Sequence, residues 1–248
     1  MNPPPIYGRE SELEQLGALV SRLHSFLVHG PAGVGKSLLL RRIAADCPKI
    51  LYCGESATNH TVFCEIARHL LATRNQTALR AFGRSGASKI KEKSAVSLRG
   101  IVGDALRESR YWIVVDHLKR PSQAFATALK DLSNSTHTPL IAAARSAHME
   151  DAGFLLPLFP DRLERLALAN FDSEQARGFT LRTLSEMKLN FANQEEVLEK
   201  IVRHSQGNPG AIRTMLAMAS HSRYVAQQRL MMAPLYIDFR MRGGVSGE

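Results

Sequence analysis

The chain has little of several things, and each scarcity narrows what it can be. Of its 248 residues, three are cysteine: Cys47, Cys53 and Cys64. An odd number without C-x-x-C spacing argues against a disulfide framework or a thiolate metal site, and reads as reduced thiols of a cytoplasmic protein. No apolar run approaches ~18 residues, so no membrane span is expected. The opening Met1-Asn2-Pro3-Pro4-Pro5 lacks the basic and apolar regions of a signal peptide. His69, His137, His148, His204 and His221 are scattered without metal-ligand spacing. No Ser-His-Asp or Cys-His arrangement, helix-turn-helix, zinc finger or internal repeat is evident. Acidic residues are outnumbered, 23 against 32 Lys and Arg, for a net charge of +9. That balance favours polyanions without naming one.

What is present begins with Phe26 to Arg42, FLVHGPAGVGKSLLLRR. Phe26, Leu27 and Val28 read as a buried strand. From Ser37 onward a helix starts, with Leu38, Leu39, Leu40 and Ile43 as its apolar face. Between them Gly30-Pro31-Ala32-Gly33-Val34-Gly35-Lys36-Ser37 matches G-x-x-x-x-G-K-[ST] without a mismatch. Glycines let backbone N–H groups turn inward around an anion, and the helix N-terminus adds partial positive charge. In this motif Lys36 would reach the β- and γ-phosphates of a nucleotide, and the Ser37 hydroxyl would bind Mg²⁺.

The rest of the sequence alternates strand and helix patterns. Strands are expected at Lys49–Glu55, Tyr111–Leu118, Pro139–Ser146 and Arg162–Ala169. Helices are expected at Ser11–Leu23, Thr61–Thr73, Ser97–Glu108 and Ser122–Leu132. The fold class expected is therefore α/β, a parallel sheet covered by helices, occupying residues 1–171. Residues 74–96 read as a polar, basic insertion, either mobile or a frayed helix. From Asp172 the pattern turns all-helical, and residues 172–222 read as a small lid of three helices, the last over Ala211–His221. Residues 223–248 form a tail. There Leu235, Ile237, Phe239 and Met241 alternate with polar residues, as in a half-buried strand docked on this chain or another.

Asp116 ends the apolar run YWIVV. It could cap the next turn or, with Ser37, hold Mg²⁺ beside the phosphate loop. The order of segments resembles AAA+ P-loop ATPases, in particular their signal-transduction (STAND) branch, over about residues 6–220. IYGRESELEQL resembles that family's N-terminal G-R-E box, which implies nucleotide contacts at Tyr7, Gly8 and Arg9. GPAGVGKS corresponds to its Walker A motif, Gly30, Pro31, Ala32, Gly33, Val34, Gly35, Lys36 and Ser37, running on to Leu38. WIVVD corresponds to Walker B. Arg145 then falls at sensor 1, near the γ-phosphate, which parallel-sheet ligand placement favours over pairing with a surface carboxylate. GNPGAI resembles the G-x-P motif of the lid, which places Pro209 near the adenine. Arg213 is a further, poorly spaced sensor candidate.

The resemblance implies an ATPase core followed by a helical lid, with Lys36, Asp116 and Arg145 catalytic. One departure stands out. The family's fast members carry glutamate directly after the Walker B aspartate, where this chain has His117. That implies slow hydrolysis, and hence an ATP-dependent switch acting through a protein partner or self-association. The alternative is a nucleic-acid-associated ATPase. Arg74, Arg80, Arg84, Lys89, Lys91, Lys93 and Arg99 crowd the 74–99 segment and could follow a DNA backbone, or simply be solvated. A small-molecule kinase is permitted by the loop, but the G-R-E box and the lid argue against it.

Overall fold

The computed structural model describes residues 6–54, 58–83, 86–160 and 164–244. They form two compact units. The first comprises Ser11–Gly30 and Lys36–Ala167; the second comprises Ile6–Glu10, Pro31–Gly35 and residues 168 to 244.

The first unit is built on five parallel strands, β1 (Phe26–His29), β2 (Ile50–Cys53), β3 (Trp112–Val115), β4 (Leu140–Ala144) and β5 (Arg165–Ala167). Their order is β2-β3-β4-β1-β5. Every residue of β3 and β4 is buried, as expected of strands covered on both faces. Helices α1 (Glu10–Ser21), α2 (Lys36–Asp46), α3 (Asn59–Ala72), α6 (Ala95–Arg107) and α7 (Gln123–Thr136) intervene between strands or precede them. Local chemistry fixes several helix ends. Ser122 accepts a hydrogen bond from the Phe125 N–H to start α7, and His137, left-handed at φ 51°, ends it. A continuous apolar core joins Leu27, Val62, Ile66, Leu98, Val102, Ile113, Leu129 and Leu140.

Of the two readings of the basic segment, the described residues follow the helical one. The segment holds α4 (Gln76–Phe82) and α5 (Gly86–Glu92). Ala78, Phe82 and Ile90 enter the same core, and Asn75 caps α4 while its amide reaches the Ala105 carbonyl and Glu108. Its charges stay outside: Arg74, Arg80, Lys89, Lys91 and Lys93 are exposed. Ala78, Phe82 and Ile90, spaced among these charges, pack the helices onto the core instead of leaving them frayed. Arg84, Glu55 and the first residues of the Arg162–Ala169 strand lie outside the described residues.

The second unit packs α9 (Ser173–Glu186), α10 (Gln194–Ser205), α11 (Pro209–Ala219) and α12 (Met232–Met241) around Val197, Ile201, Ile212, Met215 and Leu216. A short α8 (Met149–Ala152) precedes β5 in the first unit. A capping box between Asp172 and Gln175 opens α9. Helix α11 begins at Pro209, two residues before the expected start, because Asn208 caps it through the Ala211 N–H. A two-residue hairpin, β6 (Val225–Ala226) and β7 (Arg229–Leu230), turns on Gln227 and Gln228, both at positive φ.

The expected strand at Leu235–Met241 is instead α12. The four alternating apolar residues are two i,i+4 pairs. Leu235 and Phe239 are buried in the helical core with Met232, whereas Ile237 and Met241 are 57% and 81% exposed. Pro234 sits in the first turn, where a helix needs no N–H bond. The segment docks on helices of its own chain, as its apolar content demanded, but through a helical face. Leu235→Ala should therefore destabilise the protein by about 2–5 kcal/mol, and Ile237→Ala by no more than ~0.5 kcal/mol. Urea denaturation of the two variants checks this; equal effects would contradict the helical docking.

Candidate functional site

The glycine loop follows β1 directly. Gly33 and Gly35 have φ of 75° and 107°, a backbone that residues with a Cβ adopt only under strain. This is why the motif needs glycine at those two places. The loop enters α2 at Lys36, with Ser37 and Leu38 in the first turn and half-buried.

In the first unit, sheet order sets the neighbours. Strand β4 lies between β1 and β3, so Arg145, just past β4, stands between Gly30 and Asp116 at the carboxyl ends of the strands. The Gly30 N–H donates to the Arg145 carbonyl at 3.2 Å, and the Arg145 side chain is exposed. The Lys36 ammonium donates to the Gly30 carbonyl at 2.7 Å. Burial pushes its pKa down; the Asp116 carboxylate opposes that shift, Arg145 adds to it and Asp151 opposes it. Those influences place Lys36 within electrostatic reach of both Asp116 and Arg145. His29, just before the loop, is pushed down by burial and by Arg165, His148 and Lys36.

Asp116 is 1% exposed. Its Oδ2 accepts from the Tyr52 hydroxyl at 2.6 Å and its Oδ1 from the His117 N–H at 2.7 Å. The Tyr52 hydroxyl in turn accepts from Arg41 Nε at 3.1 Å. Burial, followed by the Asp116 charge and its hydrogen bond, drives the Tyr52 pKa well up, so the phenol stays a donor. Tyr52 was missed by sequence reasoning. The available signal was a lone hydroxyl in the apolar run ILYC of β2, which pairs with β3. His117 adopts φ 56° and turns its ring back, Nε2 lying 3.6 Å from Asp116 Oδ2.

In the second unit, the loop interior meets the N-terminal box and the G-x-P segment. Arg9, 6% exposed, donates to the carbonyls of Val34 at 3.3 Å and Ala169 at 2.5 Å, and its guanidinium lies 4.5 Å from the Phe171 ring centroid. Asn208 donates to the Ala32 carbonyl at 2.9 Å and to Asn170 Oδ1 at 3.0 Å. The Gly210 N–H donates to the Gly33 carbonyl at 2.9 Å. Tyr7 packs on Phe171 and Phe179, with Gly8 at φ 64°. Pro209 is the half-buried first residue of α11, and Arg213 is exposed.

A parallel sheet with a glycine loop and lysine after one strand, an aspartate after another and a helical C-terminal part defines a P-loop ATPase fold. The AAA ATPase domain family model matches residues 5–143, and the chain belongs to that family. Among solved structures it is similar to the Walker-type ATPase PABY2304 of Pyrococcus abyssi, at 17% identity and a TM-score of 0.61, covering 98% of this chain and 70% of that one. It is also similar to Cdc6p of Pyrobaculum aerophilum, at 14% and 0.62, covering 100% and 66%. The Aeropyrum pernix ORC1 protein, in a structure with DNA, shares 15% identity at 0.64, covering 97% and 66%. At such identities the likeness is one of fold, and the chain spans about two thirds of the length of these proteins. No curated protein matches the sequence. No described helix is long and apolar enough to cross a membrane.

Tyr52 keeps a buried carboxylate hydrogen-bonded, so Tyr52→Phe should cost about 1–3 kcal/mol of stability. In an Asp116→Asn background the same change should cost less, because no charge is left stranded. A double-mutant cycle by urea denaturation measures the coupling; purely additive effects would show that Tyr52 does not serve Asp116.

Proposed function

We propose that the chain binds ATP with Mg²⁺ through the Gly30–Ser37 loop and hydrolyses it slowly, as a nucleotide-dependent switch that acts through a protein partner or self-association. The observation that supports this most is the gathering of Gly30, Lys36, Asp116 and Arg145 at the carboxyl ends of β1, β3 and β4. Ligands of parallel sheets bind beyond strand carboxyl ends. The donor set fits the group: main-chain N–H groups and an ammonium for phosphate oxygens, a hydroxyl and a carboxylate for a hard cation. Lys36 would hold the β- and γ-phosphates, Arg145 the γ-phosphate, and Ser37 and Asp116 the cation. Tyr7, Gly8, Arg9 and Pro209 would surround the base end. Bound Mg²⁺ would supply charge neutralisation at the phosphoryl oxygens.

Slow turnover is inferred from His117, which replaces the glutamate of fast AAA+ enzymes. The switch reading follows from that and from the resemblance to the STAND branch. A γ-phosphate that biases one of two arrangements needs lasting occupancy more than speed.

A second reading, attachment to nucleic acid, draws on the exposed Arg74, Arg80, Lys89, Lys91 and Lys93. Arg99 contributes less, because it is paired with Asp131 at 3.2 Å. Binding to duplex DNA that weakens steeply with salt, and that is lost when these five are reversed in charge, would favour this reading over the first.

Lys36→Ala should abolish most affinity for a fluorescent ATP analogue while circular dichroism stays unchanged; unchanged affinity in a folded variant would end the loop reading. Turnover of the wild type should lie far below ~10 s⁻¹, the median for enzymes, and Asp116→Ala should remove what Mg²⁺-dependent turnover there is. A phosphate-release assay reads both, and a wild-type rate at that median would overturn the switch.

A further inference from the structure

The loop's carbonyls carry an inference that rests on the nucleotide reading and deepens it. Three consecutive carbonyls of the loop, those of Ala32, Gly33 and Val34, each accept a hydrogen bond from outside the loop. The donors are Asn208 Nδ2 at 2.9 Å, the Gly210 N–H at 2.9 Å and the Arg9 guanidinium at 3.3 Å. In a planar trans peptide the C=O and the following N–H point in opposite directions. Holding those three carbonyls outward therefore turns the N–H groups of Gly33, Val34 and Gly35 to the opposite side, the concave face of the loop. The Val34 N–H is shared with the Pro31 carbonyl at 3.4 Å, which tightens the same curl. We propose that Arg9, Asn208 and Gly210 are positioning residues that fix the phosphate cradle from behind by gripping its carbonyls.

Each of the three is itself held in place. Asn208 is 6% exposed. Its Oδ1 accepts from the Ala211 N–H at 3.1 Å, which fixes which end of the amide donates, and its Nδ2 also meets Asn170 Oδ1. One side chain thus caps α11 and clamps the loop. Arg9 is locked by the Ala169 carbonyl and the Phe171 ring. Gly210 is required for the approach: a Cβ there would lie 2.8 Å from Gly33 Cα and 3.0 Å from the Gly33 carbonyl oxygen. Upstream, a Cβ on Gly207 would lie 2.1 Å from the Phe171 carbonyl oxygen, and the Phe171 N–H donates to the Gly207 carbonyl at 2.9 Å. The glycines of the G-N-P-G segment are thus close-contact points between main chains. On this reading that segment serves the phosphates as well as the base.

The test separates clamping from helix capping. Asn208→Ser keeps a neutral N-cap acceptor for α11 but is too short to reach the Ala32 carbonyl. Its ligand-free melting temperature should stay within a few degrees of wild type, while its affinity for ADP and for inorganic pyrophosphate, by isothermal titration, should fall about tenfold, the worth of one well-placed hydrogen bond. Arg9→Ala should weaken both ligands in the same way, and Arg9→Lys, which keeps a charged donor, should recover part of the loss. Unchanged affinity in a folded Asn208→Ser protein overturns the clamp. So does a loss of affinity that tracks a fall in melting temperature and is absent from Arg9→Ala. If the wild type binds pyrophosphate but no adenine nucleotide, and the variants lose it, the clamp stands and the ATP reading falls. If the wild type binds neither ligand, both fall.

Discussion

A main chain that curls its N–H groups toward an anion must send its carbonyls the other way, and a carbonyl taken from water needs a donor. Much of what distinguishes this chain answers that need at the Gly30–Ser37 loop. The Gly30 N–H is tied to the Arg145 carbonyl and the Gly30 carbonyl to Lys36, so the loop's first peptide is anchored on the sheet. The interior carbonyls are met by Arg9, Asn208 and Gly210. The two segments supplying those three, one at Arg9 and one at Asn208–Gly210, are far apart in sequence, and each is made rigid by its own contacts.

The sheet end shows how charge is accommodated in the first unit. Burying Asp116 costs free energy unless donors surround it, and the Tyr52 hydroxyl and the His117 N–H meet that demand. Arg41 closes the chain by donating to Tyr52 while its guanidinium lies 5.4 Å from the ring centroid. Lys36 and His29 experience the opposite condition. Burial most of all disfavours their charged forms; neighbouring cations add to this, and at Lys36 the Asp116 and Asp151 carboxylates oppose it.

How far the molecule could be read in its sequence depended on whether the determining contacts were local. The loop, the Asp116 strand and the order of strands and helices were legible, because motif spacing and continuous apolar runs encode them within a few residues. The resemblance pointed to Arg9 and Pro209 as nucleotide contacts, but not to what Arg9 touches, and it passed over Asn208. Asn208 looked like part of a helix-breaking turn because its partner, Ala32, lies 176 positions away. Tyr52 was hidden for the same reason. The tail misled differently. Four apolar residues at alternate positions satisfy a strand, yet they also form two helical i,i+4 pairs, and only packing chooses between the two. Pro234 was the local hint for the helix. The hairpin at Gln227–Gln228 carried no such hint, since neither residue is a usual choice for positive φ.

The turn after Asp116 shows how backbone conformation limits what a side chain can do. His117 is left-handed, its N–H bound to the carboxylate of the residue before it and its ring folded to within 3.6 Å of the same group. A glutamate in this conformation would bring a second carboxylate toward Asp116. Like charges roughly 4 Å apart repel by about 4 kcal/mol at an effective dielectric constant of 20. One of the two would then hold its proton and be useless as a base, or the turn would have to open. Histidine avoids that conflict: neutral, it adds no repulsion, and protonated, it attracts. The identity of residue 117 and the shape of its turn therefore belong together, and substituting the side chain alone does not supply a base aimed away from Asp116.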